Sequence, residues 1–292
     1  MEDGIIIVDN LASRAKQVFD GLDVSENTKK EYKSRIGLFI SFFQGKTFTP
    51  NTYLEFKQYL AARSEFTVST KNKYLAVCKI FLKELNRFGV IQSDITQNIK
   101  SFAQSKKHKK EGLNADEVQK FSTRIDEMPK TFKRSRLKVF FYLLAFQGFR
   151  QIEIIRLNVE DIDFQRGVAF IQGKGKDDKE IVYLHPESVK ALKIYVKTVN
   201  IKSGAIFKSF GNRQSERIST RTIKREIGSI FSELAIEKTV HGFRHYFITT
   251  LLGKMDVRDV RKFSRHTNLD MLIVYDDELD MKEKAKESFT YF

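Results

Sequence analysis

At 292 residues the chain has room for about two domains. With 41% hydrophobic and 30% charged residues it can bury ordinary cores, and its composition excludes a disordered or collagen-like chain. Fifty-two Lys and Arg against thirty-seven Asp and Glu leave a net charge of +15, which favours nucleic acid as partner because each phosphate contact releases condensed counterions; a basic protein with nothing bound is the bland alternative.

The acidic start Met1-Glu2-Asp3-Gly4 lacks the layout of a secretory signal. The longest strongly apolar run, Val139 to Phe146, is too short to span a bilayer. A single cysteine, Cys78, rules out an internal disulfide and fits a reducing compartment. These features predict a soluble, cytoplasmic protein with no membrane partner.

Along the chain, helical periodicity dominates the first hundred residues. Tyr32, Ile36, Phe39 and Phe43 recur at helical spacing after a start signal at Ser25-Glu26-Asn27. Thr49-Pro50 predicts the opening of a further helix, with Thr49 as cap and Pro50 in the first turn. Tyr74, Val77, Cys78, Phe81, Leu82 and Leu85 form the clearest apolar stripe, and Thr70, Lys71, Lys73, Lys79 and Lys83 stand on the other face and at its entry. Lys71 and Lys73 are candidate DNA contacts, although a solvated face is the usual fate of such lysines.

The pattern stops at Ser105-Lys106-Lys107-His108-Lys109-Lys110, which reads as an exposed linker. A plain spacer and a cationic strap along DNA, with Lys107 and Lys109 as contacts, are both compatible with it. The next helix starts sharply: Asn114 can cap, Glu117 holds the capping-box position, and Leu113 and Val118 suit a hydrophobic staple. The predicted organisation is a helical DNA-binding domain over 1–105, a basic linker over 106–112 and a mixed α/β domain over 113–292.

In the second domain an apolar helix through Leu137, Phe140, Phe141 and Leu144 stops near Gly148. Val168 to Ile171 and Ile181 to Leu184 read as two strands of a hairpin with the polar tip Gln172 to Lys179. Helices are predicted over Pro186 to Val199, Thr220 to Leu234, and from His241 to the end. The fold class is therefore mainly α with a small sheet.

Four segments carry chemistry-bearing residues: Gly148-Phe149-Arg150-Gln151-Ile152-Glu153, the Gly173-Lys174-Gly175-Lys176 hairpin tip, His241-Gly242-Phe243-Arg244-His245, and Arg265-His266 followed nine residues later by Tyr275. Transfer of a DNA phosphoryl group to protein needs a nucleophile, and a tyrosine oxygen is one that later serves as leaving group. The phosphoryl oxygens need fixed cations, for which arginine, always charged and able to grip two oxygens, is suited. The departing sugar oxygen needs a proton that a hairpin lysine can deliver, and a histidine can take the phenol proton or bond the phosphate. His241 and Arg244, three apart, share a helix face. Read singly, Tyr275 is an ordinary half-buried tyrosine and the histidines are core residues or zinc ligands, but no carboxylate or cysteine closely flanks them for a metal site.

Taken together, these residues resemble the Arg–Lys–His-x-x-Arg–His–Tyr set of the tyrosine recombinase family, which includes Xer-type recombinases and phage and transposon integrases. Arg150 matches the first arginine, Glu153 the acidic position after it, Lys174 the hairpin lysine, His241 and Arg244 the central motif, His266 the second histidine and Tyr275 the nucleophile. Asn27 to Tyr32 resembles the opening of the family's helical, SAM-like core-binding domain, so the likeness covers nearly the whole chain and is closest to the simple Xer layout. Lys176 and Lys179 are alternatives to Lys174 as acid, and Lys176 is a further candidate DNA contact.

The resemblance implies a metal- and ATP-independent DNA strand transferase acting on double-stranded DNA. It implies a 3′-phosphotyrosyl intermediate, four protomers on two sites, and a C-terminal segment docked into a neighbouring subunit. Accessory proteins are compatible with it. A type IB topoisomerase-like relaxing enzyme and a catalytically silent DNA-binding protein of the same fold are the rival readings. Two departures stand out: Arg265 where the family usually has glycine, altering packing or adding a phosphate contact, and the acidic Asp276-Asp277 after Tyr275. Over residues 276–292 six acids face three lysines before an apolar ending, Phe289-Thr290-Tyr291-Phe292, which suits protein rather than DNA: either a helix folded back on its own domain or, as the resemblance implies, one docked into a neighbour.

Overall fold

The computed structural model describes residues 11–104, 112–173, 178–209, 217–266, 268–269 and 272, and the chain divides into two compact units, Met1–Ser105 and Lys106–Phe292. The first is helical: α1 (Leu11–Asp20), α2 (Glu26–Phe43), α3 (Thr52–Ala61) and α4 (Val68–Arg87). Ser25 caps α2 as predicted, its side chain accepting from the Thr28 amide. The stripe on α4 is the centre of the core, where Val77, Cys78, Phe81, Leu82 and Leu85 pack against Phe19, Phe39 and Phe56.

One expectation in this unit needs correction, and one helix went unread. The helix after Thr49-Pro50 begins at Thr52 with Asn51 as cap, because Thr49 and Thr52 first close a turn in which the Thr52 amide donates to the Thr49 carbonyl at 3.1 Å. α1 carried too short a pattern to be read, yet Leu11, Ala15, Val18 and Phe19 bury one face of it.

The second unit begins with α5 (Ala115–Glu127), whose Asn114–Glu117 capping box is fully formed. α6 (Phe132–Ala145) is the buried axis, packed against α8 (Pro186–Val199), α9 (Thr220–Glu233) and α10 (His241–Leu252). Between them stand α7 (Gln151–Arg156), a short 3-10 turn (Val159–Asp161) and an antiparallel sheet in the order β1 (Ile162–Asp163), β2 (Val168–Gln172), β3 (Lys179–Tyr183). β1 is a strand the sequence did not announce, since two residues cannot show alternation. The helix expected from His241 onward breaks at Gly253, and α11 (Val257–Ser264) follows with Asp256 as its cap. Among the described residues the chain is thus mainly helical with one three-stranded sheet. No helix among the described residues is long and apolar enough to cross a membrane.

Candidate active site

The site starts from the turn that ends α6. Gly148 has φ +56°, a left-handed backbone, and a Cβ there would lie 2.3 Å from the Phe247 ring, so both strain and space demand glycine. Phe149, wholly buried, then anchors the chain, and Arg150 becomes the cap residue of α7. Glu153 closes the turn: one carboxylate oxygen accepts the Arg150 amide at 2.8 Å and the other accepts Arg150 Nη1 at 2.8 Å. With Glu153 1% exposed and the Arg150 side chain 30% exposed, the carboxylate is the buried anchor and the guanidinium is the end that meets solvent. Burial pushes the Glu153 carboxyl up, but Arg265 and Arg150 outweigh it and hold the group below its ordinary value.

α10 supplies the facing residues. Its start is fixed where Gly242 accepts the Leu113 amide at 3.2 Å, a close approach that leaves little room for a side chain at Gly242. His241 is exposed, while Arg244 is 1% exposed. Arg244 Nη1 donates to the Gly148 carbonyl and Nη2 to the Ser264 carbonyl, and Nη2 also lies 3.3 Å from His266 Nε2. A guanidinium can only donate, so Nε2 accepts; the ring proton then sits on Nδ1, 2.9 Å from Ser264 Oγ. Burial, reinforced by Arg244 and Arg150, pulls His266 down to about 3, so the ring is neutral at pH 7.

Arg150, His241 and Arg244 line one cavity of about 270 Å³, with Thr220 and Lys224 of α9 on its wall. This brings together three of the predicted residues from two distant parts of the chain. Two guanidiniums and an imidazole around a small concave space can grip a tetrahedral oxyanion. His266 joins the set through Arg244 and lines a neighbouring cavity of about 860 Å³. Lys174, Tyr275, Lys176, Lys107 and Lys109 lie outside the described residues, as does the segment expected to reach a neighbouring subunit. The hairpin that carries Lys174 is tied at its stem to α7, where Arg156 Nη1 donates to the Gly173 carbonyl at 3.1 Å. Lys179, the alternative acid, is paired to Asp161.

In the helical unit Lys73 is exposed, whereas Lys71 is half-buried and its Nζ donates to the Ala61 carbonyl at 2.9 Å. His245 is buried, its ring where a Cβ on Gly112 would stand, as a packing residue would be.

Sequence reasoning missed Thr220 and Lys224. Their four-residue spacing puts both on one face of a helix, but nothing in the sequence sets α9 beside α7. Arg265 was noticed without a settled role. It caps α11 with φ 56° and ψ 41°, a conformation that costs a non-glycine residue on the order of 1–2 kcal/mol, and its side chain is buried against Glu153 at 3.0 Å. Among the described residues no group of three or more His, Cys, Asp or Glu side chains is placed to hold a metal ion.

Residues 111–282 match the model of the phage integrase family. The tyrosine recombinase XerC of Leptospira interrogans is 23% identical over 294 aligned residues, covering 96% of this chain and 93% of that protein. Among solved structures, the Tn1549 transposon integrase in complex with transposon right end DNA superposes with a TM-score of 0.73 at 15% identity, covering 95% of this chain and 98% of that one. A lambda integrase dimer bound to a COC′ core site gives 0.71 at 14% identity, covering 92% and 77%. At these identities the two structures establish a shared fold.

Proposed function

The chain belongs to the phage integrase family of tyrosine recombinases, and from that premise we propose that it is a site-specific DNA recombinase working through a 3′-phosphotyrosyl link to Tyr275. The observation that carries this reading is the convergence of Arg150, His241 and Arg244 on one small cavity. A scissile phosphate held there has its two non-bridging oxygens within reach of two permanent cations.

The Tyr275 oxygen attacks phosphorus as its proton passes to His241, the exposed imidazole of the cavity. The bond from phosphorus to the 5′ oxygen breaks, and Lys174 supplies the proton that makes it a 5′-hydroxyl. A 5′-hydroxyl from the partner duplex then attacks the phosphotyrosine, and the protons return by the same groups. One phosphoester is exchanged for another at each step, so no ATP is consumed. His266, neutral and accepting from Arg244, holds that guanidinium rather than carrying a proton.

In this reading residues 1–105 and 113–292 are two domains that both bind duplex DNA, joined by the linker 106–112. Lys71, Lys73, Lys107, Lys109 and Lys176 meet its backbone, and residues 276–292 join protomers into a tetramer on two sites.

Trapping on a nicked suicide duplex, from which the cleaved strand end diffuses away, tests the chemistry. Wild type accumulates a covalent adduct and Tyr275→Phe binds without forming one; an undiminished adduct in Tyr275→Phe overturns the assignment. Relaxation of a supercoiled plasmid lacking sites, at the rate seen with them, assigns the protein to the topoisomerase class.

A further inference from the structure

We infer that Arg265 is a positioning residue, clamping Glu153 and the Gly148 carbonyl so that Arg150 and Arg244 are set against one another in the cavity; this rests on the phosphate-gripping role given to those two arginines.

The backbone at Arg265 is left-handed, where glycine is favoured, yet an arginine stands there with its side chain 6% exposed. All four of its terminal N–H groups are spent on the protein. Nη1 donates to the Phe263 carbonyl at 2.9 Å and the Gln147 carbonyl at 3.3 Å, and Nη2 to Glu153 at 3.0 Å and the Gly148 carbonyl at 3.2 Å. The guanidinium also covers the Phe149 ring, 4.9 Å from its centroid. The remaining donor, Nε, is buried without a partner, so no solvent-facing donor of Arg265 is free for a direct grip on a phosphate, whereas the Arg150 guanidinium meets solvent.

Its partners are the ones that hold those two residues. The Gly148 carbonyl accepts from both Arg265 and Arg244, so the two guanidiniums are pinned to one oxygen. Glu153 receives Arg150 Nη1 on Oε1, while Oε2 is occupied by the Arg150 amide and by Arg265. A carboxylate with one guanidinium partner tends to take it with both oxygens. By filling Oε2, Arg265 keeps Arg150 on a single oxygen, and leaves Arg150 Nη2 with only a long 3.4 Å contact to the Arg265 carbonyl. That amino group remains available to substrate. Without the clamp, Glu153 draws Arg150 back along α7 and away from the cavity.

The experiment measures single-turnover cleavage of the suicide duplex and DNA affinity separately, for wild type, Arg265→Gly, Arg265→Lys, Glu153→Gln and the Arg265→Gly/Glu153→Gln pair. Arg265→Gly fits the left-handed backbone and is expected to cleave about ten- to a hundred-fold more slowly at saturating protein, with its Kd for the duplex within about threefold of wild type. Arg265→Lys, which reaches Glu153 but not all three carbonyls, falls between. Because the effect passes through Glu153, the double variant is no slower than the slower single variant.

A wild-type cleavage rate in Arg265→Gly overturns the inference, and so does a loss confined to DNA affinity, which marks a direct DNA contact. Multiplying losses in the double variant overturn the route through Glu153. Should Arg265→Gly fail to fold, Arg265→Lys decides: a slower rate at unchanged affinity and melting temperature supports the clamp, a wild-type rate refutes it. Failure of the wild type itself to form an adduct refutes the recombinase reading instead.

Discussion

Arg244 Nη2 stands 3.3 Å from His266 Nε2, which makes the histidine an acceptor for a buried cation and ties α10 to the end of α11. A hydrogen bond to a charged group is worth about 1.5–3 kcal/mol, or roughly ten- to a hundred-fold in rate when it holds a catalytic cation. His266→Phe is therefore expected to slow adduct formation by that factor while leaving DNA affinity within about threefold. Equal losses of rate and affinity, measured by quench and by filter binding, contradict this role.

The same histidine sets an acid limit on stability. Folded, it titrates near 3, held there by burial first and Arg244 second; unfolded, it returns to its ordinary 6.5. The unfolded chain thus binds the extra proton between these values, so this contribution is complete above 6.5 and is lost as pH falls toward 3. Melting curves from pH 7 to 4 should show a decline that His266→Phe lessens. An equal decline in both proteins refutes the assignment.

Gly148→Ala tests the turn that aims the shared carbonyl. With φ +56° and a Cβ placed 2.3 Å from Phe247, the substitution is expected to lower stability by more than about 1 kcal/mol and to slow cleavage. Chemical denaturation that finds the variant as stable as wild type contradicts this.

Arg136 and Glu226, both buried, pair across α6 and α9. Removing one partner leaves a buried charge, so Glu226→Ala should destabilise by about 3–5 kcal/mol. Joint replacement by Met and Leu should recover most of that loss, and calorimetry that finds the single variant neutral contradicts it.

How much of this was legible in the sequence varies element by element. The stripe on α4 and the capping box at Asn114 were readable because each is a local code whose physics lies within one or two turns. The pairing of His241 with Arg244 was readable for the same reason. Thr220 and Lys224 were not, because they reach the cavity only through the packing of α9 on α7. The break at Gly253 was missed because His241 to Leu252 and Val257 to Ser264 are both helical, and the turn between them carries a single glycine. Arg265 was visible as an oddity, but its partners Glu153 and Gly148 lie more than a hundred residues upstream.

The most direct measurement is to digest the trapped protein–DNA adduct with trypsin and nuclease and locate the residue that carries the nucleotide. One modified peptide spanning residues 266–282 is expected, with the phosphate on Tyr275, and adduct yield reduced in Arg150→Ala and Arg244→Ala. A nucleotide on any other residue, or full yield without either arginine, contradicts it.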